Sequence, residues 1–187
     1  PLEKSQSWRD TMKKTHGVFT SAAAILVAGS LFAGPAHAGS KSDKFAEAIF
    51  KHDVATVKDM LLDGFRPDGK IPYRLPTKDS ASGKRPALYV AAAWGNPEIV
   101  ELMLNAGGKQ KSAICMSAQF GWPKVTKLLL ESGIKANASC KGGKPNPLLR
   151  AKEGASGKMS KGTAGKTFGT KAQFEETVKI LMAAGAK

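Results

Sequence analysis

Four segments of the chain share one pattern of apolar and polar positions, and each segment ends at a glycine. They are "VATVKDMLLDG" ending at Gly64, "PEIVELMLNAG" at Gly107, "PKVTKLLLESG" at Gly133 and "FEETVKILMAAG" at Gly185. Apolar residues recur three and four positions apart, as Val100, Met103 and Leu104 do, which predicts an amphipathic helix with one apolar stripe. The closing glycine can adopt the left-handed conformation that ends such a helix.

A shorter, mostly alanine-rich segment precedes each of these helices. The four are "FAEAIFKH", "ALYVAAAWG", "AICMSAQFG" and "PLLRAKEG", and their small residues allow a neighbouring helix to approach closely. Gly95, Asn96 and Pro97 follow one another as a helix stop, an N-cap and a first-turn proline. Each unit is therefore predicted to be a helix, a tight turn and a second helix. Stacked units would bury a continuous apolar face.

The second unit, "ALYVAAAWGNPEIVELMLNAG", resembles the ankyrin-repeat consensus, in which a T-P-L-H-x-A-A helix is followed by G-H and E-V-V-x-L-L-L-x-x-G-A. "FAEAIFKHDVATVKDMLLDG" resembles an opening repeat, and "NPLLRAKEG" with "FEETVKILMAAGAK" a closing one. The resemblance implies an all-α fold, a curved ankyrin-repeat α-solenoid of about four helix-turn-helix units whose inner helices line a concave face. The units would span about 43–64, 85–107, 112–133 and 146–187.

The spacing of the units departs from that family. The closing glycines lie 43, 26 and 52 residues apart, whereas a regular array repeats every ~33 residues. The first gap is too proline-rich for a helix, so an extended loop is expected over 65–86. The second gap is so short that the usual β-hairpin finger should be reduced or absent. The last gap predicts a loop at 154–172 inside the final unit.

The segment 12–38 reads "MKKTHGVFTSAAAILVAGSLFAGPAHA", with two lysines, an apolar run and a small-x-small end. This pattern predicts a signal peptide cleaved after Ala38 and a periplasmic protein. The rival reading is a membrane span, but the run falls short of the ~20 apolar residues required. It is interrupted by Thr20, Ser21, Gly29 and Ser30. Residues 1–11 are taken as upstream sequence, and 39–187 as the repeat domain, without an integral membrane span.

The domain 39–187 is strongly basic, with 25 Lys and Arg against 13 Asp and Glu once the four basic and two acidic residues before it are set aside. An exported protein meets little nucleic acid, so an acidic protein or an anionic envelope surface is the better-motivated partner. The alternative is that the charge only provides solubility. Four lysines of the last loop are placed to touch an acidic partner: Lys158, Lys161, Lys166 and Lys171.

Residues that carry chemistry are few in this domain. Its single histidine, His52, occupies a turn position, and a catalytic triad or a metal site needs several convergent groups. We therefore expect a non-enzymatic protein without a metal or cofactor. "GTAGKT" lacks the first glycine of a phosphate-binding loop, because Ser160 stands there. Cys115 and Cys140 either form a bridge, which an oxidising compartment favours, or remain a buried apolar residue and a loop thiol.

The resemblance implies that the two residues before the glycine ending each inner helix lie on the concave face. Trp94 and Phe120 fall on equivalent positions of successive units, so they are expected side by side as a hot spot for a partner. The alternative is that the 65–86 loop folds over Trp94 and buries it. The candidate partner-binding residues are Trp94, Phe120, Gln119, Ala93, Trp122 and Tyr73.

These patterns favour a monomeric, exported protein that binds an acidic protein through its concave face. The family resemblance implies a companion or inhibitor of an envelope enzyme or toxin. The alternative is a structural envelope protein whose basic loops, 65–86 and 154–172, hold anionic lipid or cell-wall polymer. That alternative predicts strong salt dependence and little effect of the aromatic pair.

Overall fold

The computed structural model describes residues 39–74, 83–140, 146–157 and 169–187. The chain divides into two compact parts, Pro1–Ser40 and Lys41–Lys187, and only Gly39 and Ser40 of the first part are described. Every helix and strand that the structure describes belongs to the second part, Lys41–Lys187. The predicted signal peptide lies outside the described residues, as do Lys158, Lys161 and Lys166 of the predicted basic loop.

The described residues form eight helices and one pair of short strands. In chain order these are α1 (Lys41–Phe50), α2 (Val54–Leu62), β1 (Lys70–Pro72), β2 (Lys84–Pro86), α3 (Ala87–Trp94), α4 (Pro97–Asn105), α5 (Ala113–Phe120), α6 (Pro123–Glu131), α7 (Pro147–Ala155) and α8 (Lys171–Ala183). The prediction of a mostly helical fold is confirmed. The two strands pair antiparallel with Ile71 opposite Arg85, so the segment expected as an extended loop contains a small hairpin.

Local sequence explains where the helices begin. At α4 the side chain of Asn96 accepts hydrogen bonds from the backbone N–H groups of Glu98 and Ile99 at 3.0 and 3.2 Å, and Pro97 occupies the first turn. At α8 Thr170 and Gln173 form a reciprocal capping box.

The loop predicted at 154–172 is shorter in the structure, because the capping box starts α8 before residue 172. Lys171 is the first residue of α8, where its ammonium lies 3.8 Å from the Glu175 carboxylate one turn on. It was expected in a flexible basic loop, but Thr170 starts the helix before it. At the other end of the segment, α7 continues to Ala155. The predicted loop is therefore shorter on both sides.

Left-handed residues end the helices, as the glycine pattern predicts. The four closing glycines, Gly64, Gly107, Gly133 and Gly185, have φ of 83°, 91°, 90° and 80°. At the end of the first helix of a unit the same conformation is adopted by Gly95, with φ 79°. His52, in the turn after α1, is the described non-glycine residue with a positive φ, 55°, and asparagine, aspartate and histidine tolerate this region best.

The helices form two rows. Helices α1, α3, α5 and α7 contact one another in sequence and are called the inner row; α2, α4, α6 and α8 do the same and are called the outer row. Within each unit the two helices also contact each other, and the hairpin packs on α1 and α3. The rows meet at a continuous core, to which alanines 91–93 of α3 and the apolar stripe of α4 contribute. Each fully buried large side chain, such as Met103, stabilises the fold by roughly 1.5–3 kcal/mol.

Two buried hydroxyl groups join the rows in the third unit. Thr126 of α6 donates to the Ser117 hydroxyl of α5 at 2.9 Å, and Ser117 donates to the carbonyl of Ile114 at 3.1 Å. Each group is satisfied, so its burial does not carry the cost of an unpaired polar atom. This pair fixes how α5 and α6 approach each other.

Candidate interaction surface

Trp94 ends α3 and lies half-buried against α1 and the turn that follows α1. Its ring packs on Phe50 with centroids 4.9 Å apart and lies 6.2 Å from the ring of His52. The indole Nε1–H donates to the carbonyl oxygen of Arg74 at 3.0 Å. Arg74 belongs to the segment 65–86, so the polar edge of Trp94 is held by that segment.

Phe120 does not lie on an accessible face, which corrects the sequence expectation. Its exposed fraction is 1%. The chain that enters α8 crosses the end of α5, where Gly169 N–H donates to the carbonyl of Phe120 at 2.9 Å. The repeat alignment treated the end of α5 as open, but the last unit covers it. Phe120 is therefore a core residue and unable to contact a partner.

Three more of the six candidate residues are also used inside the fold. Ala93 is fully buried and Tyr73 is 7% exposed, so neither presents a surface to a partner. The half-buried Trp122 donates its indole N–H to the carbonyl of Ala93 at 3.0 Å. Its ring lies over Gly95, where an added Cβ would meet it at 2.4 Å. Trp122 thus joins the third unit to the second.

Phe174 repeats this arrangement one unit further along the chain. An added Cβ at Gly121 would lie 2.9 Å from its ring, and one at Gly154 would lie 2.2 Å from it. This contact was not predicted from the sequence. Its signal is Gly154, because glycine within a helix costs about 0.5–1 kcal/mol relative to alanine unless something needs the space.

Gln119, the remaining candidate, leads to a group of side chains that we call the arginine–tyrosine cluster: Tyr73, Arg85, Tyr89, Gln119 and Arg150. Arg150 of α7 donates to the side-chain carbonyl of Gln119 on α5. The Arg85 guanidinium lies over the Tyr73 ring, 5.7 Å from its centroid, and the Tyr73 and Tyr89 rings are 5.7 Å apart. The hairpin and three successive inner-row helices, α3, α5 and α7, supply its members.

Partial burial changes the electrostatics of this cluster. Burial raises the pKa of the Tyr73 hydroxyl, the neighbouring Tyr89 adds to the rise, and the charges of Arg85 and Arg150 oppose it. Burial lowers the pKa of the Arg150 guanidinium, while Tyr89, Glu153 and Tyr73 act in the opposite direction. Arg150 stays charged, and its charge is less screened than that of a surface lysine.

Arginine side chains gather at the hairpin and the inner row, where Lys70, Lys84 and Lys152 also lie. Arg74 lies over the Phe50 ring at 5.8 Å, so three of the four described arginines lie by the hairpin or inner row with an aromatic or amide partner. A cavity of about 420 Å³ lies between the loops after α4 and α6. Three lysines line it: Lys109, Lys111 and Lys135. This lysine cavity was not predicted from the sequence.

Cys115 and Cys140 form a disulfide in the structure. The bridge joins α5 to the segment after α6, across 25 residues, and both cysteines are buried. Of the two alternatives that the sequence left open, the structure contains the bridged one.

The described residues contain no group of three or more His, Cys, Asp or Glu side chains able to hold a metal ion. In the same part of the chain, none of the helices has the length and apolar character needed to cross a membrane. No family model matches this chain, and no curated protein matches its sequence.

Proposed function

We propose that this chain is a non-enzymatic ankyrin-repeat protein, exported by the signal peptide 12–38, that binds an acidic protein through the inner-row side of its helical stack. The observation that carries the proposal is the arginine–tyrosine cluster. Large aromatics and arginines contribute most of the energy of protein interfaces, whereas lysine is depleted there. In this chain such residues come together at the hairpin and the inner row.

The basic surface supports the choice of an acidic partner. Residues 39–187, which would remain after export, carry 25 Lys and Arg against 13 Asp and Glu, and complementary charge speeds encounter and excludes wrong partners. The role we propose is that of a companion or inhibitor of an enzyme or toxin in the same compartment, which is what the ankyrin resemblance implies.

Site-specific photo-crosslinking tests this proposal, since two exposed apolar side chains provide a matched pair. Leu149 lies on inner-row helix α7 and is 47% exposed, and Met182 lies on outer-row helix α8 and is 56% exposed. A photoreactive amino acid at position 149 of the full chain should give a protein adduct in cells, identified by mass spectrometry. The same residue at position 182 should not. Equal adducts at both positions, or none at 149, would contradict binding on the inner-row side.

A second candidate is a structural envelope protein that holds anionic lipid or cell-wall polymer. The lysine cavity favours it, because exposed lysines attract anionic headgroups without needing directional contacts. Salt-dependent binding of full-length protein to phosphatidylglycerol vesicles, lost in Lys109→Ala with Lys135→Ala, would support this candidate. Vesicle binding unchanged by that pair of substitutions would remove it.

A further inference from the structure

The arginines of the arginine–tyrosine cluster can make directional contacts that lysines cannot. The guanidinium is planar and offers five donors in a rigid fork that matches a carboxylate, whereas the lysine ammonium is a point charge. Arg85 and Arg150 are the two described arginines of the arginine–tyrosine cluster.

The cluster is ordered before any partner arrives. Arg85 stacks over Tyr73, and Arg150 is held by its hydrogen bond to Gln119. Immobilising a long side chain costs about 0.5–1.5 kcal/mol when it happens only on binding. Side chains already held by neighbours lose less freedom, so each contact to a ligand retains more of its energy.

The surroundings of the cluster define the chemistry of the ligand. Two guanidinium groups and two phenols stand together in the cluster. Glu153 acts on the charge of Arg150 from the same helix, and its side chain is exposed. A half-buried guanidinium beside aromatic rings is typical of protein interfaces, whereas lipid headgroups are attracted by groups of exposed lysines.

We propose that the arginine–tyrosine cluster binds carboxylate side chains of an acidic segment of the partner protein, with Arg85 and Arg150 as the principal donors. This inference rests on the proposed function and specifies it: the surface is the cluster, in place of the Trp94 and Phe120 pair. Tyr73 and Gln119 act as positioning residues that hold the two guanidinium groups.

The probe for this site is an acetylated and amidated hexaglutamate peptide, titrated into the isotope-labelled full chain and followed by NMR. We expect the largest shifts at the arginine Nε–H signals of Arg85 and Arg150 and at Tyr89. Hexaglutamine, which has the same length and no charge, should give none of these shifts. Shifts confined to lysine signals of the cavity, Lys109, Lys111 and Lys135, would overturn the assignment.

Two substitutions test whether the guanidinium groups bind the peptide directly. Arg150→Lys keeps the charge and removes the fork, and Arg85→Ala removes an exposed side chain; each should weaken peptide binding about tenfold. Lys111→Ala, which removes one charge from the cavity, should leave the affinity unchanged. If Arg150→Lys does not fold, as circular dichroism would show, Arg85→Ala decides alone. Equal weakening by Arg85→Ala and Lys111→Ala means that only net charge matters, and the proposal fails.

The outcome for the cluster can be told apart from the outcome for the proposed function. A partner found by crosslinking at position 149 that binds Arg85→Ala and Arg150→Lys as tightly as the wild type refutes the cluster but leaves protein binding intact. Hexaglutamate binding at the cluster without any protein adduct refutes the partner role instead. Tighter binding of phosphatidylglycerol vesicles than of hexaglutamate through the same arginines would identify a lipid site and contradict this proposal.

Discussion

At the scale of single residues, the aromatic side chains mostly connect successive units. Trp94 packs on Phe50, Trp122 covers Gly95, and Phe174 covers Gly121. Each ring therefore lies against the turn of the preceding unit. In the turns contacted by Trp122 and Phe174, the glycine serves two purposes: Gly95 and Gly121 each adopt a left-handed φ and leave space for a ring.

The first prediction concerns two glycines that share a left-handed φ, of which only one leaves space for a ring. Gly95 and Gly107 have φ of 79° and 91°, but only at Gly95 would a Cβ meet a neighbour, the Trp122 ring at 2.4 Å. Gly107→Ala should cost roughly 1 kcal/mol of unfolding free energy for the backbone strain. Gly95→Ala should cost roughly 3 kcal/mol, because the ring must also move. Urea denaturation measures both, and equal losses would mean that Trp122 is not confined at Gly95.

At this scale the helix caps could be predicted from the sequence, whereas the exposure of aromatic side chains could not. Asn96 and the closing glycines were predicted because a cap depends on a few adjacent residues. The repeat position of Phe120 predicts an accessible side chain. Its burial depends on Gly169 and α8, almost 50 residues further along the chain. The pattern around Phe120 contains no information about them.

At the scale of elements, the irregular gaps between units contain ordered structure. The 65–86 segment has a hairpin whose strands are Lys70–Pro72 and Lys84–Pro86, and it supplies Tyr73, Arg74 and Arg85 to the inner-row side. The segment after α6 returns Cys140 to α5 through the disulfide. Both gaps therefore contribute contacts that a regular spacing would not require.

The second prediction concerns that disulfide. Closing a loop of 25 residues should stabilise the chain by about 3–4 kcal/mol, chiefly by restricting the unfolded state. Reduction, or Cys115→Ala together with Cys140→Ala, should lower the unfolding free energy by this amount. Urea denaturation with and without reductant measures it, and non-reducing mass spectrometry checks the bridge. A urea midpoint that does not respond to reductant would contradict a stabilising role.

At the scale of the whole molecule, the described helices and strands all belong to the compact part Lys41–Lys187. Its core runs through both rows of helices, from Phe45 of α1 to Leu181 of α8. In the proposed export, signal peptidase removes the residues that precede Gly39.

The third prediction follows from the small-x-small end of the segment 12–38. The periplasmic form should begin at Gly39, because signal peptidase requires small residues at Ala36 and Ala38. Intact-mass measurement of protein from the periplasm should give a chain of residues 39–187, with a melting temperature equal to that of the full chain. Ala36→Leu with Ala38→Leu should block cleavage. Uncleaved wild-type protein in the periplasm would show that the segment is not a signal peptide.

The sequence by itself determined the helices, their caps and the order of the units, because each depends on apolar spacing and turn residues within about 15 positions. Only the tertiary structure decided which aromatic side chains are accessible, since burial depends on the neighbouring unit and on segments far along the chain. It also brought Arg85, Tyr89 and Arg150 together from a strand and two helices. The proposed binding site thus depends on how the units stack.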